Sequence, residues 1–458
     1  MNNPVVTIPK GTRDFSPEEM TKRNYIFDTI KSVFKQFGYL QIETPAMETL
    51  DVLLGKYGEE GDKLLFRVLN SGDFMSKVND KKNISSEHIA NLICEKGLRY
   101  DLTVPFARYV VQHKNDIIFP FRRFQIQPVW RADKPQKGRY REFYQCDADI
   151  IGSNSIINEF ELLQMTDLIF AKLGINISIH INNRKILSGI TYLLNKPELL
   201  TMITTIIDKT DKIGHAKVID ELLAKGIDKQ SINTIEQIIY LKGSNEEKLT
   251  ALKNIFKNCD EALKGIEEVE ELFNYIKNIG LSSSVSFDLS LARGLNYYTG
   301  IIIEVKAKDV SIGSISGGGR YDNLTGIFGL SGISGVGISY GADRIVDVMK
   351  ELSLFPRQTQ HSIQVMFVNF GKKEELYCLK QANKLRNMGI NCEIYPENVK
   401  IKKQMAYANN RKIPYVVLIG ENEMAAKDGK FTVKEMNSGK EIKSTLNELY
   451  LKILQLPE

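Results

Sequence analysis

The sequence predicts an α+β chain: an antiparallel sheet flanked by helices, interrupted by a wholly helical stretch and followed by a smaller α/β module. Three observations carry this. Residues 121–152 alternate polar and apolar side chains as two strands around a basic loop. From about Pro197 to Gly280 the pattern becomes purely helical, rich in Lys, Glu and Leu. Beyond Pro356, strand and helix segments alternate to the end. The division read from these shifts is residues 1–355, with a helical insertion near 197–280, and residues 362–458.

The bulk properties narrow the class. At 458 residues the chain has ample material for a core and for about three domains. With 43% hydrophobic and 26% charged residues it is ordinary globular material, and no apolar run is long enough to span a bilayer. The opening MNNPVVTIPKGTRDF lacks the charged start and long apolar core of a signal peptide, which predicts a cytoplasmic protein. Cys94, Cys146, Cys259, Cys378 and Cys392 are scattered and odd in number, a pattern of buried free thiols rather than zinc ligands or disulfides. The net charge of +5 is unevenly placed. Residues 362–458 carry 16 Lys/Arg against 11 Asp/Glu, so the whole excess lies there, as a docking polyanion would require.

In chain order, Ser16, Pro17 and Glu19 open a helix with a capping box. Its stripe of Ile26, Ile30, Val33, Phe34 and Phe37 ends at Gly38, and YLQIETPAM then reads as a strand. Residues 61–100 hold a polar, lysine-rich patch with no assigned chemistry. In RYDLTVPFARYV, Pro105 argues against a continuous helix, and Asp101 and Thr103, two apart, share a face if extended.

The basic hairpin is the centre of the chain. In FRRFQIQPVW, Phe124, Ile126 and Trp130 face one way and Gln125, Gln127 and Arg131 the other, the alternation of a half-buried strand. The return strand places Gln145, Asp147 and Asp149 on one face. Between them lie Lys134, Lys137, Arg139 and Arg141, with Pro135 and Gly138 bending the loop. This pattern suits a solvated sheet edge as well as it suits a polyphosphate site.

A helix follows, capped by Asn154 or Ser155 and ended by Gly174, then the strand INISIHIN, whose His180 reads as a hydrogen-bonded bystander. LARGLNYYTGIIIEV puts Arg293 near Tyr297 and Tyr298, equally a sheet core. Ten of the 33 glycines fall between Gly313 and Gly341. There GISGVGISYG reads as a strand and Ala342, Asp343 and Arg344 as a first helical turn, where backbone N–H groups favour phosphate. Near the end, Lys400, Lys402, Lys403, Arg411 and Lys412 occupy a stretch with no acidic residue between Asn398 and Gly420.

The wording of these segments resembles the histidyl-tRNA synthetases, a family of class II aminoacyl-tRNA synthetases. WRADKPQKGRYREFYQCDADIIG is similar to the family's motif 2, and the glycine-rich strand and helix start to its motif 3. KGTRDFSPEEM with the following helix and strand resembles its motif 1 and dimer interface. LARGLNYYTG resembles a signature peculiar to the family, with Ala292 and Asn296 as departures. The C-terminal module resembles its anticodon-binding domain. The resemblance implies a class II catalytic domain and an enzyme that joins L-histidine to ATP, then passes it to tRNA(His), working with Mg2+ as a homodimer.

It also implies roles. Arg131 takes the α-phosphate, Arg139 and Arg344 the β/γ end, and Arg293 the α-phosphate with the histidine carboxylate. Asp101, Thr103 and Gln145 hold the α-ammonium. Asp149 and Tyr298, beside Tyr297, grip the imidazole nitrogens. Lys400, Lys402, Lys403, Arg411 and Lys412 contact tRNA. The competing reading is a catalytically silent relative, such as a regulatory subunit of histidine biosynthesis, but such paralogues lose catalytic arginines and the C-terminal domain.

Overall fold

A computed structural model describes residues 6–57, 61–76, 78, 85–136, 138–292, 297–356 and 363–454. It separates into two compact units, one of Met1–Asp14 with Ile26–Leu354 and one of Phe15–Tyr25 with Phe355–Glu458.

The first unit is built on an eight-stranded sheet in the order β1-β5-β6-β11-β10-β9-β7-β8. Its strands are β1 (Leu40–Gln41), β5 (Phe121–Trp130), β6 (Glu142–Ile151), β7 (Ile177–Asn183), β8 (Ser284–Phe287), β9 (Ile301–Ala307), β10 (Ser316–Tyr321) and β11 (Gly335–Gly341). Pairing is antiparallel except at the two edges, β1 with β5 and β7 with β8. A small sheet of β2 (Met47–Thr49), β3 (Arg67–Val68) and β4 (Lys96–Leu98) stands apart in the order β2-β4-β3.

The helix Pro17–Gln36 starts with the expected capping box, in which Glu19 N–H donates to Ser16 Oγ and Ser16 N–H to the Glu19 carboxylate. Ile26, Ile30, Val33 and Phe34 are fully buried. Gly38 ends the helix at φ +78°, and Tyr39 N–H closes back on Phe34 O at 3.0 Å. Of YLQIETPAM only Leu40–Gln41 and Met47, the first residue of the strand Met47–Thr49, become strand.

The expectation at Pro105 is overturned: Thr103–Gln112 is one continuous helix. Pro105 sits in its first turn, where a backbone N–H has no intrahelical acceptor and its loss costs nothing. The apolar side of this helix, Val104, Phe106, Ala107 and Val110, packs with Leu53, Tyr57, Tyr100, Ile151, Tyr321 and Leu324.

The central hairpin forms with Phe121 opposite Ile151 and Trp130 opposite Glu142. Its polar face is not solvated, however. Arg123 and Gln125 are fully buried, and Gln145, Asp147 and Asp149 are 8, 2 and 2% exposed, so period two located the polar face and the covering layer enclosed it. Between Pro197 and Gly280 every regular element described is helical, and the last helix, Asp260–Ile279, packs on the helix Arg184–Leu193 and on β7.

The second unit carries a five-stranded mixed sheet, β13-β12-β14-β15-β16. These are β12 (Val365–Phe367), β13 (Cys392–Ile394), β14 (Tyr415–Leu418), β15 (Phe431–Glu435) and β16 (Glu441–Ser444). Val365, Phe367 and Val417 face one core with the helices Lys372–Asn387 and Leu446–Leu454, while Met366, Val368 and Val416 face another with Ile401–Asn410. Burial on both faces explains the unbroken apolar runs VMFV and YVVLI. The hairpin β15–β16 was not anticipated. Among the described residues no helix is long and apolar enough to cross a membrane.

Candidate active site

The face of the eight-stranded sheet bearing β6, β9, β10 and β11 opens into a cavity of about 360 Å³. Eight residues singled out in the sequence line it: Asp101, Thr103, Arg131, Arg139, Gln145, Tyr297, Tyr298 and Arg344. They come from the start of the helix Thr103–Gln112, the motif 2-like hairpin, the segment before β9 and the start of the helix Ala342–Glu351. Arg293 lies outside the described residues.

Asp101 is 2% exposed and accepts three hydrogen bonds, which leaves room for one more on Oδ2. Its Oδ1 accepts from Tyr57 Oη and from Val104 N–H, each at 3.1 Å, and its Oδ2 accepts from Tyr297 Oη at 3.1 Å. Burial raises its pKa against the opposing pull of these hydrogen bonds and Arg131. Burial, reinforced by Asp149, Asp147 and Asp101, pushes the Tyr298 phenol up, so it is a neutral O–H donor at neutral pH.

Asp149 does not line the cavity wall. It lies behind, where its Oδ2 pairs with Arg123 Nη2 at 2.7 Å and its Oδ1 accepts from Tyr321 Oη at 2.7 Å. The Arg123 guanidinium is fully buried, with its carbon 4.2 Å from the Phe106 ring centroid. Glycine makes room here: a Cβ on Gly337, opposite Asp149 across β6 and β11, would come within 2.0 Å of Asp149 Oδ1. Burial raises the Asp149 pKa, opposed by Arg123 and Tyr321.

The basic end is built differently. Arg131 donates through Nε to Tyr100 O at 3.0 Å and stacks 4.2 Å from the Tyr100 ring. Arg344, in the first turn of its helix, donates to Gly138 O at 2.9 Å and Ser314 O at 2.6 Å. Arg139 is exposed, with Nε 3.4 Å from Asp133 Oδ2. A buried acidic pocket thus adjoins a cluster of guanidinium groups at a helix start. Such a site can hold a cation with a hydrogen-bonding ring beside a polyphosphate.

The family model described as Histidyl-tRNA synthetase matches residues 11–80 and 95–345, and that of the Anticodon binding domain residues 364–456. The chain belongs to the histidyl-tRNA synthetase family. It is 58% identical to the histidine–tRNA ligase of Phocaeicola vulgatus over 96% of this chain and 97% of that one. To the histidine–tRNA ligase of Bacteroides fragilis strain YCH46 it is 56% identical over the same shares. The crystal structure of histidyl-tRNA synthetase from Nostoc sp. PCC 7120 superposes with a TM-score of 0.83 at 29% identity, covering 99% of this chain and 100% of that one. The chain therefore carries a class II histidyl-tRNA synthetase catalytic domain and an anticodon-binding domain.

In the second unit Lys400, Lys402, Lys403, Arg411 and Lys412 are all exposed. Lys400 occupies the N-cap position of the helix Ile401–Asn410 without a side-chain cap, and Lys402 and Lys403 lie in its first turn, which holds no acid. Arg411 is partly engaged, donating to Tyr407 Oη at 2.6 Å.

Sequence reasoning missed Arg123, Tyr321 and Ser339. Arg123 was within reach, because it continues the period of Gln125 and Gln127 by one step. Tyr321 and Ser339 carried no signal, since only sheet register brings them beside Asp149 and Asp147. His180, outside the cavity, bonds Asp288 at 3.2 Å. Although burial opposes it, hydrogen bonds from His180 and Ser290 hold Asp288 down to about 2.

Proposed function

We propose that this chain activates L-histidine with ATP and charges tRNA(His). A carboxylate oxygen of histidine attacks the α-phosphorus, pyrophosphate departs, and a hydroxyl of the terminal tRNA ribose then displaces AMP from the histidyl carbonyl. The observation that carries this reading is one cavity in which the buried Asp101 carboxylate meets three arginines, two from the hairpin and one from a helix start.

Arg131 stabilises charge growing on the α-phosphate, and Arg139 and Arg344 hold the β/γ end. The backbone carbonyls that grip Arg131 and Arg344 hold their planes in place before substrate arrives, so little reorganisation is needed. Arg293 joins the α-phosphate and the histidine carboxylate. Asp101, Thr103 and Gln145 receive the α-ammonium. Tyr298, with Tyr297 packed alongside, donates to one imidazole nitrogen, and Asp149 sets the other. A pocket polar at both ring nitrogens rejects apolar side chains by up to about 10⁴–10⁵.

Among the described residues no three metal-ligating side chains converge. Mg2+ would be carried by the phosphates, and Glu304, a buried carboxylate of the cavity wall, would be the side chain to hold it. Held there, the ion would supply charge neutralisation for the leaving pyrophosphate.

We assign residues 1–355 to catalysis, with the helices of 197–280 as an insertion, and 362–458 to anticodon binding. Cations in the first turn of the Ile401–Asn410 helix oppose its dipole, a placement that an RNA phosphate would relieve. By likeness to the family the protein acts in the cytoplasm as a homodimer. Histidine-dependent ATP–pyrophosphate exchange, followed by charging of tRNA(His), tests the reading. Histidine binding without exchange would favour the silent regulatory subunit.

A further inference from the structure

Gln145 and Asp147 lie two apart on β6, and both reach Ser339, the residue directly opposite Asp147 on β11. Gln145 donates through Nε2 to Ser339 Oγ at 2.7 Å, and Ser339 is hydrogen-bonded to the Asp147 carboxylate. Two buried acceptors, Gln145 Oε1 and Asp147 Oδ1, have no donor among the described residues.

The polarity of this chain follows from proton counting. Above about pH 7, where Asp147 is ionised, its carboxylate can only accept, and a serine hydroxyl has one proton. With that proton given to Asp147, Ser339 Oγ is left to accept, and only the NH2 end of Gln145 can serve it. An amide is nearly symmetric in shape, so hydrogen-bond polarity alone decides which end faces which way. Gln145 lines the cavity, and the end left over is its carbonyl oxygen, an acceptor suited to an ammonium N–H.

We propose that Asp147 and Ser339 are positioning residues that lock the Gln145 amide with its oxygen available to the α-ammonium of the amino acid. The proposal rests on the assignment of Gln145 to that ammonium. Losing the hydroxyl frees the amide to turn, and an NH2 group facing a cation repels it. Ser339 also lines the cavity, which places the relay at its wall rather than deep in the core.

The test uses the full-length protein and two histidine analogues: histidinol, which keeps the ammonium and imidazole, and 3-(imidazol-4-yl)propionate, which lacks the ammonium. In Ser339→Ala, affinity for histidine and histidinol should fall about tenfold while that for the propionate stays within about twofold. The histidine KM for exchange should rise by the same factor, with kcat and the ATP KM close to wild type. Ser339→Thr, which keeps the hydroxyl, should restore all three, and Asp147→Ala should repeat the Ser339→Ala pattern. Equal weakening of both analogues would make Ser339 merely structural and overturn the relay, as would unchanged histidinol binding. Gln145→Ala separates the two ideas. If it discriminates between the analogues and Ser339→Ala does not, the relay fails alone; if Gln145→Ala does not discriminate, the ammonium assignment itself fails.

Discussion

The two ends of the cavity are held by different means. At the acidic end, side chains bind side chains: Asp101 with Tyr57 and Tyr297, Asp149 with Arg123 and Tyr321, Gln145 with Ser339. At the basic end, guanidinium groups hang on backbone carbonyls, Arg131 on Tyr100 and Arg344 on Gly138 and Ser314. The first arrangement buries charge and ties recognition to folding. The second fixes the guanidinium planes through main-chain carbonyls at the cavity wall, beside the place where phosphate would bind. Mutations at the acidic end should therefore cost stability and histidine together, and mutations at the basic end should cost rate.

The strongest test of this contrast is Asp149→Asn. It strands the fully buried Arg123 cation, so unfolding free energy should drop by about 3–5 kcal/mol in denaturant titration, and histidine activation should collapse with it. Full stability would mean that Arg123 finds another partner and that the acidic end is not a folded unit. Next comes Arg344→Ala. Exchange should slow by about 10²–10³-fold, whereas stability falls by only about 1–2 kcal/mol, because the released carbonyls return to water. A large stability loss would erase the distinction between the ends.

The third test is pH. Burial foremost, with Asp149 and Asp101 adding to it and Arg123 and Ser339 opposing, lifts Asp147 to about 7. A folded-state pKa raised above the unfolded value of about 3.9 contributes stability that is complete below that value and lost as pH rises through about 7. Between about pH 4 and 7, the interval from the unfolded to the folded pKa of Asp147, wild-type Tm should therefore decline relative to Asp147→Asn and level off above it. Parallel curves would show that Asp147 does not titrate there.

The smallest effect belongs to the exposed cations of the second unit. Neutralising Lys400, Lys402, Lys403, Arg411 and Lys412 should leave exchange unchanged and flatten the salt dependence of tRNA binding. The slope should change by up to about 0.7–0.9 log units per lost phosphate contact. Identical slopes for variant and wild type would make this run a solvated helix face.

Much of the architecture was legible because it is local. Period two located the hairpin and its polar face, capping residues marked the helix starting at Pro17, and alternating strand and helix segments announced the second unit. Motif wording also named eight residues of the cavity wall, from Asp101 and Arg131 to Arg344. Pro105 misled because a proline reads as a helix breaker until its position within the first turn is known.

Tertiary structure decided what those polar residues face. Sequence periodicity assigns a side chain to a side of a strand, and only the neighbouring layer determines whether that side is wet. Asp147 and Asp149 looked equivalent in the sequence, yet one meets Ser339 and the other Arg123, Tyr321 and the space left by Gly337. Those partners lie 26 to 192 residues away, and sheet register, fixed only when the whole sheet closes, brings them together.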